Sequence, residues 1–404
     1  EEPCDYMENN HERYYPINDA DGINRKKYRE YSDIIPKDLT FIGRCGQYIY
    51  IDMDQAVSSS LSLSRKFIEK RNSWLKFIIV CPDHNTGGPF AMLQLSKAIN
   101  ELGQECEVFF FNIGKIKPKI KTKNLIQKTI IVDNFIIKYR KKPRTHIPDI
   151  PYKICHNLHI DDVIIFPETM LDYSTDFYNM GFKNRVFWWL SWNNAPIADL
   201  TKFNNIINLL DSIHIFQSKH AETEARRLNF IGSVVSDYTI YDENQLNQNY
   251  NKTNDICFLE GKAPGTDELI QDLRNNFSII SIKNMTQSQV IDTLKKSKFF
   301  IDFGSHPGKD RIPREAALHK CIPLVHNIGA AKYYEDVTLP DYLKIDSFTL
   351  SNSALLGKKI NKIKSNINQT YNDIEPYIHK IKKEREIFYN EVRNLLSNIY
   401  NKSK

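Results

Sequence analysis

The chain has 404 residues, 41% hydrophobic and 26% charged, with 55 Lys and Arg against 49 Asp and Glu for a formal net charge of +6. At about 150 residues per domain there is room for two or three domains, and the composition excludes a disordered tail, a fibrous repeat or a disulfide-dense miniprotein. The charge is mild and scattered. The densest basic stretches, Lys115–Lys123 and Lys138–Arg144, carry few aromatics, so no nucleic-acid partner is expected; the mild excess suits at most peripheral contact with an anionic membrane surface.

No stretch reaches the ~18 apolar residues of a membrane span, and the acidic, polar start has no secretory pattern. A cytoplasmic protein is expected, at most at the inner face of the membrane. The first residue is Glu1, which reads as a processed product or a piece of something longer. Seven cysteines (Cys4, Cys45, Cys81, Cys106, Cys155, Cys257, Cys321) stand far apart without a C-x-x-C. They are expected as reduced thiols in the core, with no zinc site.

Residues 1–70 are polar and tyrosine-rich and end in an amphipathic stretch, Gln55–Lys70. Then Lys76–Pro82 is a short apolar run, Asp83–Pro89 a Gly-rich turn, Phe90–Leu102 a helical pattern closed by Gly103, and Glu107–Phe111 another strand. This strand–loop–helix–strand order favours a parallel sheet with right-handed crossovers. Further strands are expected at Asp162–Phe166, Arg185–Leu190 and Ser212–Gln217. After a linker near 236–252 the plan repeats. Asp255–Glu260 is a strand, and Thr266–Phe277 a helix with Leu269, Ile270 and Leu273 inward. Ser278–Ile282 is a strand, Thr286 and Gln289 have capping-box spacing, and Phe299–Phe303 and Cys321–Val325 are strands. Residues 355–404 read as long, Lys/Asn/Ile-rich helix with a solvated outer face. The fold class is α/β, with two Rossmann-like domains facing a cleft.

Ligands of doubly wound sheets bind at the carboxyl ends of the strands. There, Gly87 and Gly88 follow the first strand and open a helix, which lets backbone approach an anion. The pattern is neither Gly-x-Gly-x-x-Gly nor a Walker motif. A denser signal is Phe303–Ala317, where a strand ends, a Gly/Pro-rich loop carries His306, Lys309, Asp310 and Arg311, and a helix carries Glu315. Lys309 and Arg311 can neutralise a diphosphate. Glu315, expected in the first helical turn, can accept from sugar or ribose hydroxyls, or simply complement the helix end as Arg314 would. Lys262, after the second half's first strand, either holds phosphate or is an exposed turn lysine. His84 and Asp83 are candidate acceptor-side bases, or loop hydrogen-bonding groups. Glu168 is a cleft or a capping carboxylate. Trp188, Trp189 and Trp192 stack on sugar or fill the core. His220 and Arg226 begin a helix that could face the cleft.

The run His306–Ala317, followed by Cys321–Val325 and Gly329-Ala330-Ala331, resembles the donor-binding segment of GT-B nucleotide-sugar glycosyltransferases. Gly87, Gly88 and Lys262 fall where that pattern places them, and Phe166–Glu168 and Trp188–Asn193 fit looser bacterial relatives. The resemblance covers about 74–404 and implies an acceptor-side domain at 74–240, a donor domain at 250–365 and C-terminal helices at 366–404 that cross back onto the first domain. It implies Gly87, Gly88, Lys262, His306, Lys309, Arg311 and Glu315 as donor-binding residues and no metal or other cofactor; Asp52-Met53-Asp54 lies outside this part. The family's Glu-x7-Glu is broken by Pro307 at its first position, which leaves sugar and stereochemistry open.

A second resemblance covers about 1–70. Arg13–Ile17 and Ile42–Asp54 look like the C-terminal part of UDP-galactopyranose mutase, with Cys45 for the usual leucine. It implies a short α+β tail in which Arg44, Tyr50 and one of Tyr14 and Tyr15 contact a UDP-sugar diphosphate and Asp52 lies near flavin. The large FAD-binding part has no counterpart here, so the segment is expected to be silent, with FAD only if an upstream part exists.

Together these imply a metal-independent hexosyltransferase using a UDP-sugar, UDP-galactofuranose being favoured by the adjacent mutase-like segment. The acceptor would be a surface polysaccharide or a lipid-linked glycan. The rivals are a mutase of which only the tail is present, and a non-catalytic GT-B module that binds glycan or nucleotide.

Overall fold

Short apolar runs that end in turn residues are the raw material of both sheets of this chain. The structure, a computed structural model, describes residues 21–34, 41–49, 51–72, 75–83, 86–111, 119–120, 129–132, 135–138, 150–156, 158–196, 209–246, 250–263 and 266–402. It divides into two units, Glu1–Trp74 and Leu75–Lys404.

The first unit, among its described residues, is helical: α1 (Ile23–Asp33), α2 (Gly43–Gly46) and α3 (Met53–Asn72). Tyr28 ties α1 to α2 by donating its hydroxyl to the Gly46 carbonyl at 2.9 Å and stacks on Tyr48. The expected amphipathic stretch is α3, because Met53, Val57 and Leu61 recur every fourth residue; all three are exposed. The strands of the expected α+β tail are not seen among the described residues. Tyr14, Tyr15 and Tyr50 lie outside them.

The second unit opens with β1 (Phe77–Pro82), α4 (Gly87–Glu101) and β2 (Cys106–Phe111), as the sequence suggests. An antiparallel trio follows, β3 (Lys119–Ile120), β4 (Thr129–Val132) and β5 (Phe135–Lys138), in the order β3-β5-β4. It had no distinct signal in the sequence. Then come β6 (Val163–Pro167), α5 (Leu171–Asn179), β7 (Arg185–Trp189), β8 (Ile213–Phe216), α6 (Lys219–Arg226) and β9 (Gly232–Val234). The first sheet is parallel, in the order β2-β1-β6-β7-β8-β9.

After α7 (Glu243–Leu246) the second half has β10 (Asn254–Leu259), α8 (Thr266–Leu273), β11 (Ile279–Ile282), α9 (Gln287–Lys296), β12 (Ser297–Asp302), α10 (Arg311–Leu318), β13 (Ile322–His326) and β14 (Lys344–Ile345). Its sheet is parallel, β11-β10-β12-β13-β14. The Thr286–Gln289 capping box forms at the start of α9. α8 stops at Leu273, four residues short of the expected end, with Ile270 and Leu273 buried.

α11 (Ser347–Leu350), α12 (Ser353–Ser365), α13 (Ile367–Asp373) and α14 (Glu375–Lys402) close the chain. α14 is not merely a solvated face. Its 28 residues, about 42 Å long at 1.5 Å per residue, serve both cores. Tyr377, Ile378 and Ile381 pack into the second half, while Phe388, Val392, Leu395 and Ile399 pack against α4 and the first sheet. The polar Lys/Asn positions alternate with this apolar stripe at helical spacing, which hides it in composition. Cys81, Cys106, Cys155, Cys257 and Cys321 are free and buried. No described helix is long and apolar enough to cross a membrane.

Candidate functional site

The residues that follow β7 and β8 in the first sheet meet the loop that follows β12 in the second. Trp192 N–H donates to the Pro307 carbonyl at 2.9 Å, and Lys309 N–H donates to Gln217 Oε1 at 2.8 Å. Gly308 permits this approach: a Cβ there would lie 2.2 Å from the Leu190 carbonyl oxygen and 2.5 Å from Gln217 Oε1.

On the first-sheet side, Gly87 and Gly88 are the first residues of α4. Thr86 precedes them in an extended conformation without a side-chain cap, and a Cβ on Gly87 would meet nothing within 4 Å. A Cβ on Gly88 would meet Leu190 Cδ1 at 3.8 Å, an ordinary contact, and the first N–H groups of a helix have no intrahelical partner. Asp83 is half-buried at the carboxyl end of β1. His84 lies outside the described residues.

On the second-sheet side, α10 begins at Arg311 and not nearer Glu315. Proline at the third helical position costs no intrahelical bond, so Pro313 is tolerated and Glu315 stands in the second turn. Asp310 occupies the N-cap position but does not cap. Its carboxylate is committed elsewhere, 2.7 Å from His306 Nδ1 and 3.1 Å from Lys262 Nζ. Lys262 Nζ is also 2.5 Å from Asp302. His306 reaches the Asp302 carbonyl through Nε2 at 3.1 Å, so both ring nitrogens face oxygen atoms. Burial alone would raise the Asp310 carboxyl, but His306 and Lys262 hold it at about 2. Burial likewise opposes the Lys262 charge, and Asp310 and Asp302 raise its pKa above the usual lysine value. His306 takes a positive φ of 44°, and its carbonyl accepts from Ala330 N–H at 2.8 Å. A Cβ on Gly329 would meet that same carbonyl at 2.2 Å.

Asp302, His306 and Asp310 bring ligand atoms within 4.8 Å of one another, a spacing a divalent cation could use. The Lys262 ammonium is already paired with both carboxylates, so this chain supplies its own cation there.

Arg311 extends from α10 over the Phe90 ring of α4, 5.1 Å from its centroid, and its Nε is 3.2 Å from Glu315 Oε1. Glu315 is 5% exposed. Burial pushes its carboxyl up, against the pull of Arg311 and Arg314. Lys309, expected beside Arg311 as a diphosphate cation, is placed differently: its Nζ lies 3.3 Å from Glu384 of α14. The loop passes over α14 at this residue, and the buried carboxylate of Glu384 takes the charge.

The remaining candidates are structural. Trp188, Trp189 and Trp192 are buried; the Trp188 indole donates to the Val235 carbonyl and that of Trp189 to His214. Arg226 pairs with Glu222 on its own helix. His220 N–H, with Lys219 N–H, donates to Asp336 of the second half. Glu168 accepts from Leu190 N–H at 2.9 Å and is buried. Of the mutase-like set, Asp52 is described at the start of α3, its N–H donating to Gln55; the Arg44 side chain is outside the described set.

Four groups in this cleft carried no signal in the sequence: Asp302, Gln217, Asp237 and Glu384. Gln217 and Asp302, at the carboxyl ends of β8 and β12, were open to discovery by position alone.

A cavity of about 780 Å³ opens on the rim of the second sheet, lined by Glu268, Asp272, Phe303, His326, Ser347 and Asn352 among others, with no Lys or Arg.

No family model and no curated protein matches the sequence. Solved structures do match. Sucrose-phosphate synthase from Thermosynechococcus elongatus aligns with a TM-score of 0.54 at 10% identity, over 81% of this chain and 99% of that one. The HepE protein of Anabaena in complex with UDP-glucose aligns at 0.51 and 10% identity, over 80% and 99%. A trehalose-6-phosphate structure from E. coli bound with UDP-2-fluoro glucose aligns at 0.51 and 10% identity, over 80% of this chain and 98% of that one. The chain has the GT-B fold. At such identity the likeness concerns architecture. In a GT-B frame, the Gly87–Gly88 helix start and the loop from Asp302 to Arg311 lie on opposite walls of the cleft between the two sheets.

Proposed function

We propose that this chain is a glycosyltransferase that moves a hexose from a UDP-sugar to a glycan acceptor. The observation that carries the reading is the meeting of Arg311 with Phe90 across the cleft, which puts a cation, a buried carboxylate and an uncapped helix start around one space. Arg311 and the N–H groups of Gly87 and Gly88 would hold the diphosphate. Lys262 would reinforce them by exchanging a carboxylate for phosphate. Glu315 would accept from ribose or sugar hydroxyls. Catalysis then comes from positioning and from stabilising the departing diphosphate, with Asp83 and His84 as acceptor-side groups. Uridine as the base is supported by the UDP-glucose and UDP-2-fluoro glucose in the names of two structural neighbours. UDP-galactofuranose is the donor favoured by the mutase-like motif Ile42–Asp54. A surface polysaccharide or lipid-linked precursor, met at a membrane face, is the acceptor class that goes with such a donor.

The test is thermal stabilisation of the chain by UDP, UDP-sugars, ADP and GDP, with flavin absorbance read on the same sample. Stabilisation by UDP or a UDP-sugar, without flavin, is expected. No response to any nucleotide would overturn the reading, and so would sugar transfer by Glu315→Ala at the wild-type rate.

A further inference from the structure

The geometry of the donor loop is fixed from outside the loop. Lys309 is held at both backbone atoms: its N–H donates to Gln217 Oε1 at 2.8 Å, and its carbonyl accepts from Arg314 Nη2 at 3.0 Å. Arg314 is 1% exposed and spends the rest of its fork on three other acceptors. Nε donates to the Asp310 carbonyl at 3.2 Å, Nη2 to Asp237 at 2.7 Å and Nη1 to Glu384 at 2.9 Å. Asp237 belongs to the segment that links the two halves, and Glu384 to α14, which serves both cores. Gln217 closes the ring by donating to Asp237 Oδ1 at 3.0 Å. Burial alone would lower the guanidinium pKa, and the carboxylates of Asp237 and Glu384 more than reverse it.

We propose that Arg314 is a positioning residue, a planar fork that registers the loop carrying Arg311 against the linking segment and α14 and so presents Arg311 to the donor diphosphate. The two carbonyls it holds, those of Lys309 and Asp310, immediately precede Arg311, so a shift of either moves that cation directly. Buried ion pairs add little net stability compared with well-packed apolar groups, whereas a fork with four fixed acceptors specifies one arrangement. This inference rests on the donor reading above.

The experiment compares dissociation constants for UDP and for uridine, with thermal melts, in the full chain. Arg314→Lys keeps the charge between Asp237 and Glu384 but gives up the fork. UDP binding is expected to weaken about tenfold while uridine binding stays within about twofold, because only the diphosphate meets Arg311. Gln217→Met leaves every charge paired and is the second variant, should Arg314→Lys fail to fold; a smaller loss confined to UDP is expected. An unchanged UDP-to-uridine ratio in the variants overturns the proposal, whether both affinities hold or both fall together with the melt. If the unmodified chain binds UDP no better than uridine, the donor reading itself fails, and that result is seen before any variant is made.

Discussion

Arg311 and Phe90 stand 5.1 Å apart, guanidinium carbon to ring centroid, one on the donor loop's helix and the other on the helix opened by Gly87 and Gly88. A cation–π contact of this kind contributes about 0.5–1 kcal/mol where solvent reaches it, too little to hold two domains. Its consequence is orientation: the guanidinium lies over the ring with Nε 3.2 Å from Glu315 Oε1.

Arg311→Ala should therefore separate ligand binding from folding. We expect UDP affinity to drop roughly tenfold, or about 1.4 kcal/mol, with unfolding free energy lowered by only about 1 kcal/mol, the size of the contact with Phe90. Titration calorimetry with UDP and urea unfolding on the same preparation check this. Loss of stability without loss of affinity would mean that Arg311 is a strut between the halves.

Gly308 has a steric role independent of ligand. An added methyl would fall 2.2 Å from the Leu190 carbonyl oxygen and 2.5 Å from Gln217 Oε1, and a backbone carbonyl cannot swing aside as a side chain can. Gly308→Ala should cost roughly 1–3 kcal/mol, the range for overpacking, and move the loop off the first sheet. Urea unfolding reads the cost, and small-angle scattering reads a larger radius of gyration. A variant as stable and as compact as the parent would show that the two walls do not need this contact.

α14 makes a different prediction because it belongs to both cores. Phe388 is fully buried and lies 5.3 Å from the Tyr238 ring, so Phe388→Ala should cost roughly 3–5 kcal/mol. Within Leu75–Lys404 the tryptophans, Trp188, Trp189 and Trp192, are all in the first half, so their fluorescence follows that half while far-ultraviolet dichroism follows the whole. If the helix couples the cores, both transitions shift together. A fluorescence shift alone would mean that the halves unfold separately.

The strands of both sheets were legible because each is a compact apolar run bounded by Gly, Pro or polar turns, and buried parallel strands have that signature. The Gly87–Gly88 turn and the loop from His306 to Glu315 were legible for the same kind of reason: polar residues concentrated where an apolar strand ends. What could not be read was pairing across distance. Lys309 is a loop lysine in sequence, and only the fold shows Glu384, 75 positions later, taking its charge. Asp302 reads as the polar end of a strand until Lys262 is found against it. Arg314 looks like a helix-end charge, and its four acceptors come from three separate segments. β9 and β14 were missed because three and two residues are too few to show a period. Residues that neutralise one another do so through space, and their individual positions in the chain carry no mark of it.

Glu168 supplies the pH prediction. It is buried at the carboxyl end of β6 and accepts from Leu190 N–H. Burial raises its carboxyl to about 8, backbone N–H groups opposing only in part, and no charged side chain contributes to that shift. In the unfolded chain the group titrates near the ordinary value of 4.5. Between pH 4.5 and 8 the folded chain thus keeps a proton that the unfolded chain has lost. Stability from this group is full below pH 4.5 and falls as pH rises toward 8. Glu168→Gln has no proton to lose and still offers an oxygen to Leu190 N–H. It should flatten this part of the pH–stability curve and leave the variant more stable than the parent at pH 8, by roughly 1 kcal/mol or more. Urea unfolding at pH 5, 6.5 and 8 gives the slopes. Parallel curves for parent and variant would mean that Glu168 is ionised in the folded protein.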